Sequence, residues 1–262
     1  MYYLSIVTVA YNNVEGLERT KESIFPLPEN CEWIIVDANS TDGTSQYLAK
    51  LPTKNNIKYI SEPDKGIFDG MNKGIKMASG EYIVFLNSGD MFQTDVFHKL
   101  SIEENTKSDI LVYNYIPLDP NLNISNARKI SIDLSILKQR SCIPHQSTLI
   151  RKDVFNKIGE HNLIYMVASD YDFFLKAYLN NISFHFDLDK YLSYFVQDGT
   201  SFKTRNAIKQ ALESRLIQID NYGSYSKQQF FMYMLKYLLS FIPYADKINL
   251  LLRKLLLHKV NP

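Results

Sequence analysis

Three short apolar runs follow one another closely in the first third of the chain, each bounded by polar or turn-forming residues. They are LSIVTVAY (4–11), EWIIVDA (32–38) and EYIVFLNS (81–88). Near-continuous Val/Ile runs of this length suit parallel strands buried on both faces. Helical patterns lie between and around them, in VEGLERTKESIF (14–25), STDGTSQYLAKL (40–51) and GIFDGMNKGIKMASG (66–80), with KYISEP (58–63) as a further strand. Ser40 or Thr41 is the expected cap of the second helix, with Asp42 in its first turn, and Gly80 the expected stop of the third. Strand, helix, strand, helix, strand predicts an α/β fold with a doubly wound, mostly parallel sheet flanked by helices.

In such sheets ligands bind beyond the carboxyl ends of the strands. That rule sets Tyr11, Asp37 and Asp90 on one rim, because each ends its own strand. The last of them closes VFLNSGD (84–90), where a buried strand runs out into a polar tip. Asn, Ser, Gly and Asp are ordinary turn residues. Three polar side chains converging on one edge are more than a turn requires, and they point to a site. No GxGxxG follows the first strand and no GxxxxGK[ST] occurs, so neither familiar phosphate loop is present. A divalent cation held by a carboxylate is the alternative way to bind a diphosphate, and Asp90 is placed for it.

Composition narrows the classes. The chain of 262 residues is 45% hydrophobic and 22% charged, as a folded protein is, and its net charge of +1 offers no field for nucleic acid. Cys31 and Cys142 are far apart without CxxC spacing, which argues against a disulfide framework or thiolate zinc and fits a reducing cytoplasm. MYYLSIVTVAYNN lacks the basic start of a signal peptide. No uncharged apolar run approaches the roughly 18 residues of a spanning helix. The expected location is therefore the cytoplasmic side of any membrane the protein meets.

Five segments in order resemble a family 2 glycosyltransferase with the GT-A fold: SIVTVAYNN (5–13), IIVDANSTDGT (34–44), EPDKGIFDGMNKGIKMASGEYIVFLNSGD (62–90), HQSTLIRKDVF (145–155) and ASDYDFF (168–174). The resemblance spans roughly residues 1–200. It implies an inverting enzyme that moves a sugar from a nucleoside diphosphate to an acceptor hydroxyl, with Mn²⁺ or Mg²⁺ on the donor diphosphate. It implies nucleotide-sugar contacts at Thr8, Tyr11, Asp37, Asp69, Asn72 and Ser88. Tyr11 would lie against the base, Asp37 would bond the base or ribose, and Asp69 and Asn72 would border the nucleotide and donor sugar. Asp90 matches the last carboxylate of the family's metal motif, but Asn87-Ser88-Gly89-Asp90 keeps only that one. Met71 stands where many relatives carry an Arg.

An acceptor hydroxyl is a poor nucleophile until a positioned base takes its proton. Inversion sets that base across the sugar from the metal, on a separate segment. Asp170 aligns with the family's catalytic Asp; on local sequence alone it is equally an N-cap for a helix over Tyr171–Leu179. Asp172 is the competing choice, or a first-turn carboxylate favoured by the helix dipole. His145 and Gln146 match the family's acceptor-side segment. Asp198-Gly199-Thr200-Ser201 lies where relatives carry a loop that folds over the donor.

The expected organisation is a catalytic domain over 1–202, with a nucleotide-sugar half (1–95) and an acceptor-side half (96–202), then an amphipathic helical extension over 203–262. Within FFMYMLKYLLSFIPYADKINLLLRKLLLHKV (230–260), Ile248, Leu251, Leu252 and Leu255 form a stripe beside Lys247, Arg253, Lys254, His258 and Lys259. Such a stripe fits an anionic membrane surface. It equally fits internal packing or a homo-oligomer contact. Membrane contact would suit a lipid-linked glycan acceptor, which the resemblance implies for bacterial polysaccharide synthesis. Two other readings stay open. A nucleotidyltransferase would usually show a Gly-rich basic loop where this chain has AYNNVEG, and a non-catalytic nucleotide-sugar-binding scaffold would explain the missing second Asp.

Overall fold

All four expected strands form. β1 (Leu4–Ala10), β2 (Cys31–Asp37), β3 (Ile57–Ser61) and β4 (Tyr82–Phe85) lie side by side in the order β3-β2-β1-β4, every pair parallel. The computed structural model describes residues 2–52, 56–97, 107–125, 130–197 and 206–239; the loop expected at 198–201 and the stripe at 248–255 lie outside them. β1, β2 and β4 are buried along their whole length, which explains their near-continuous apolar runs. The pleat sends Val7, Val9, Ile34 and Val36 to one core and Ile6, Trp33 and Ile35 to the other.

The second half of the sheet has no counterpart in the expected elements. β5 (Met91–Phe92), β6 (Ile110–Leu118), β7 (Thr148–Arg151) and β8 (Phe184–Val196) extend it to eight strands in the order β3-β2-β1-β4-β7-β6-β8-β5. β7 pairs antiparallel with both β4 and β6, β8 runs parallel to β6, and β5 pairs antiparallel with β8. The sheet is therefore mixed, with its parallel run at the N-terminal side.

Seven helices flank it among the described residues: α1 (Val14–Ile24), α2 (Thr44–Leu48), α3 (Ile67–Met77), α4 (Lys152–Ile158), α5 (Ser169–Leu179), α6 (Ala207–Tyr222) and α7 (Lys227–Leu239). Asn13 caps α1, its Oδ1 accepting the Gly16 N–H at 3.1 Å. The second helix is much shorter than the pattern over 40–51. It starts after Gly43, which has φ +99°, while Ser40 turns back to Asp37 and Asp42 accepts the Thr44 N–H and hydroxyl. Neither Ser40 nor Thr41 caps it.

Gly80 does not stop α3, which ends at Met77. It brings the chain against β1: a Cβ there would lie 2.7 Å from the Ser5 nitrogen, and the Gly80 N–H donates to Ser5 Oγ at 2.8 Å. Past residue 206 the described chain forms α6 and α7, and no helix among the described residues is long and apolar enough to cross a membrane.

Candidate active site

The parallel register aligns the carboxyl ends of three strands. Ala10 sits beside Asp37, and Asp37 beside Ser61, so the loops that follow share one rim. Tyr11 stands 67% exposed at the first position beyond β1, open to a flat ligand. Asn12 and Ser40 stitch two of these loops together: the Asn12 N–H donates to Ser40 Oγ at 2.8 Å, and Asn12 Oδ1 accepts the Thr41 N–H at 2.8 Å.

Asp37 is fully buried, with one oxygen taking the Ser40 hydroxyl and the other the Ser40 N–H at 3.1 Å and the Ser61 hydroxyl at 2.6 Å. These bonds tie the ends of β2 and β3 and the Ser40 turn together at the rim. Asp69 is half-buried in the first turn of α3 and accepts the Lys65 N–H at 3.0 Å. Beside it Asp64, which the sequence pattern did not single out, accepts the Gly66 N–H at 2.9 Å. Burial pushes the Asp64 carboxyl up, and the charges of Asp69 and Asp37 add to that shift against the opposing Gly66 bond and Lys73 charge.

Two expected nucleotide contacts belong to the core. Thr8 is fully buried in mid-strand, and its hydroxyl accepts the Trp33 indole N–H at 2.9 Å. Asn72 is buried under α3, where its Nδ2 donates to the His161 carbonyl at 2.8 Å and its Oδ1 accepts the His161 N–H at 3.0 Å. Both ends of its amide bond that backbone, so Asn72 fastens the loop after α4.

Beyond β4 the polar tip is held from α1. Asn13 Nδ2 donates to the Ser88 carbonyl at 3.0 Å and to its hydroxyl at 3.2 Å. Thr20 Oγ1 donates to the Asp90 carbonyl at 2.8 Å and accepts the Gly89 N–H at 3.0 Å, with Gly89 at φ +103°. Asp90 itself is 4% exposed, and its Oδ1 accepts the Val196 N–H at 3.0 Å, at the end of β8.

A connection runs from this tip through His145 to α5. The Asn87 amide nitrogen lies 3.3 Å from His145 Nε2, and His145 Nδ1 lies 3.4 Å from Asp170 Oδ2. With the amide donating to Nε2, Nδ1 carries the hydrogen that faces the carboxylate. Asp170 Oδ1 accepts the Tyr171 N–H at 2.8 Å. Burial works against the charged form of Asp170. The hydrogen bond from His145, its charge when protonated and the Tyr171 N–H outweigh that penalty and hold the carboxyl below its ordinary range. The side chain remains 23% exposed, so an ionised oxygen is open to a substrate hydroxyl.

Asp170 is not the helix cap. α5 begins at Ser169, and its N-cap Ala168 has no side-chain bond. Asp172 is also settled differently from its expected place beside the acceptor: it is 2% exposed, accepts Lys176 Nζ at 2.6 Å on one oxygen and Asn221 Nδ2 at 3.0 Å on the other, and so faces α6. Gln146 is buried in the short turn before β7, next to His145.

His161 was not singled out either. Its ring packs among Phe68, Phe85, Phe155 and Phe173. Burial pushes its pKa down to about 4, against the pull of the Asp170 charge.

The donors available to a metal at the tip are hard oxygens. Asn87 Oδ1 is buried without a hydrogen-bond partner among the described residues, next to Ser88 and three residues from Asp90. Among the described residues no group of three or more His, Cys, Asp and Glu could hold an ion. These donors fit Mg²⁺ or Mn²⁺ with part of its shell supplied by ligand oxygens and water.

The Glycosyl transferase family 2 model matches residues 5–159. The uncharacterized glycosyltransferase Rv1514c of Mycobacterium tuberculosis is 30% identical over 181 residues, 67% of this chain and 69% of that protein. The PGL/p-HBAD biosynthesis glycosyltransferase Rv2957 of the same organism is 29% identical over 155 residues, 57% of this chain and 59% of its own length. Among solved structures, Staphylococcus aureus TarS 1–349 in complex with UDP-GlcNAc matches with a TM-score of 0.64 at 22% identity, over 90% of this chain and 71% of that one. Mannosyltransferase PcManGT of Pyrobaculum calidifontis, in complex with GDP-Man and Mn²⁺, matches with a TM-score of 0.59 at 14% identity, over 80% of this chain and 62% of that one. At these identities the structural likeness shows the GT-A fold.

Proposed function

We propose that this chain, which belongs to glycosyl transferase family 2, moves a sugar from a nucleoside diphosphate to an acceptor hydroxyl with inversion, Asp170 serving as the general base. The observation that carries this reading is the line Asn87–His145–Asp170, which joins the donor tip to an ionised, partly exposed carboxylate. The acceptor oxygen forms its bond to the anomeric carbon as the bond to the diphosphate breaks. The departing nucleoside diphosphate keeps the electron pair, and the hydroxyl proton passes to Asp170.

The donor is a nucleotide sugar. The rim supports this with exposed Tyr11 and with Asp69 in the first turn of α3, and two structurally similar enzymes are described as complexes of UDP-GlcNAc and GDP-Man. Asp90 and Asn87 Oδ1 are the side-chain groups that would hold Mn²⁺ or Mg²⁺, with Ser88 orienting the tip. Such an ion, when bound, offsets the negative charge of the leaving diphosphate. The acceptor is a glycan carried on a membrane lipid, approached from the His145–Gln146 side. Residues 230–260 bring the enzyme to an anionic membrane surface, for which exposed Phe231 and Leu238 of α7 speak among the described residues.

A thermal-shift screen of nucleoside diphosphates and nucleotide sugars, with and without Mn²⁺, tests this on wild type and Asp90→Ala. A ligand that binds only the native state raises the melting temperature by mass action. A metal-dependent rise with one nucleoside, lost in Asp90→Ala, is the expected result. A folded wild type that responds to none of them would discard the reading.

A further inference from the structure

Helix α5 carries Asp170 but brings no cap of its own, since Ala168 stands at the N-cap position. A helix start leaves backbone N–H groups without partners and carries partial positive charge. Here a carboxylate from another helix holds the chain just ahead of that start. Glu213, in the middle of α6, is 6% exposed, and its Oε1 accepts the Met166 N–H at 2.9 Å. Its Oε2 accepts the Val167 N–H at 2.9 Å and the Ala168 N–H at 3.1 Å. One carboxylate thus gathers three successive N–H groups on the approach to α5, and Asp170 follows two residues after the last of them.

The same side of α6 makes further contacts around this turn. Gln218 Nε2 donates to the Tyr171 hydroxyl at 2.9 Å, and that hydroxyl donates to the Leu137 carbonyl at 2.7 Å. Asn221 Nδ2 donates to Asp172 Oδ1 at 3.0 Å, and the Tyr165 hydroxyl donates to Asp220 Oδ2 at 2.8 Å. Asp170 is flanked on both sides by residues tied to α6. Its own carboxylate is left to His145 and the Tyr171 N–H.

We propose that Glu213 is a positioning residue for Asp170, clamping residues 166–168 so that the first turn of α5 aims the base at the acceptor hydroxyl. The proposal rests on Asp170 being the base, and it makes α6 part of the catalytic unit although it follows the expected boundary at residue 202. Charge and shape both matter to the clamp. A glutamine in its place has one accepting oxygen, and its NH₂ would face an N–H, donor against donor. An aspartate keeps the charge on a shorter arm.

The test uses the full chain as wild type, Glu213→Gln, Glu213→Asp and Asp170→Asn. Amide hydrogen exchange over 165–171 is measured without ligand. Nucleoside diphosphate release is measured with whichever of UDP-GlcNAc and GDP-mannose the wild type hydrolyses. Glu213→Gln should exchange faster in this segment and lose roughly 10- to 100-fold in kcat with donor KM unchanged, because small misplacements of a catalytic group cost that much. Glu213→Asp should recover part of the loss. Wild-type exchange over 165–171, or wild-type kcat in a folded Glu213→Gln, would overturn the proposal. So would kcat, KM and global exchange all worsening together, the mark of general damage. Unimpaired release by Asp170→Asn would instead remove the base assignment, while fast exchange in Glu213→Gln would still show the clamp.

Discussion

His145 Nδ1 faces Asp170 Oδ2 at 3.4 Å while the other nitrogen of the same ring lies 3.3 Å from the Asn87 amide. One imidazole therefore touches both the donor tip and the proposed base. Without it, burial, which disfavours the charged form, would be opposed mainly by the Tyr171 N–H.

The acid limb of the pH–rate profile should therefore move to higher pH in His145→Ala. Asp170 works as a base only when ionised, and losing the hydrogen bond and charge of His145 raises its pKa. The same depression gives Asp170 a part in folding stability. That part is present above the unfolded carboxyl value of about 4 and is lost as pH falls through the lower folded value. A pH series of kcat/KM for both proteins checks the first point, and an unmoved limb would disconnect His145 from the base.

Asp170→Asn should lower kcat by about 10²- to 10⁴-fold, the usual contribution of a general base. Donor affinity should stay close to wild type, since the change removes a proton acceptor and leaves the nucleotide rim alone. Isothermal titration with the donor, set beside turnover, separates the two. A loss of binding without a loss of kcat would contradict the assignment.

Asn72→Ala is expected to injure stability and not donor binding. It leaves the His161 N–H and carbonyl buried without their partner, at about 1–3 kcal/mol for each group. Denaturant melts should show the loss, and donor titration of the folded protein should not. Weakened donor binding at full stability would return Asn72 to the nucleotide site.

Acid should destabilise the fold through His161. Its folded pKa of about 4 lies below the ordinary value of 6.5, so the unfolded chain gains the proton first. Its contribution is complete above pH 6.5 and falls by roughly 1.4 kcal/mol per pH unit toward pH 4. His161→Leu should flatten that slope in urea melts at pH 7, 6 and 5. An unchanged slope would place the acid sensitivity elsewhere.

The parallel half of the fold was readable because strands covered on both faces carry near-continuous apolar runs, as β1, β2 and β4 do. β8 hid itself: it is mostly half-covered and carries Asp187, Asp189 and Lys190 in its middle, so it writes no such run. The candidate site divided in the same manner. Tyr11, Asp90, His145 and Asp170 were expected from strand ends and motif position, and the fold brings His145 beside Asp170. Thr8, Asn72 and Asp172 sat in matching segments, yet their polar atoms turn to Trp33, His161 and Asn221. Which way a polar side chain turns depends on partners such as His161, 89 residues from Asn72, and local pattern does not contain them. Glu213 was hidden for the same reason, since its partners are backbone N–H groups 45 to 47 residues earlier.

The position of β7 has a consequence for how the protein is made. Strands β3, β2, β1 and β4 are complete once Phe85 has left the ribosome, but the outer edge of β4 is matched only by Ile150 and Arg151. At about 5–20 residues per second, the nascent sheet waits roughly 3–13 s for that partner. Meanwhile the open ladder along Tyr82 and Ile83 can pair with any other extended chain. The half of the protein that carries the nucleotide rim is thus no self-sufficient module. A message cut between the codons for residues 95 and 147 would yield a sticky fragment that occupies chaperones, and a graft of this half onto another protein would need a borrowed strand to seal it.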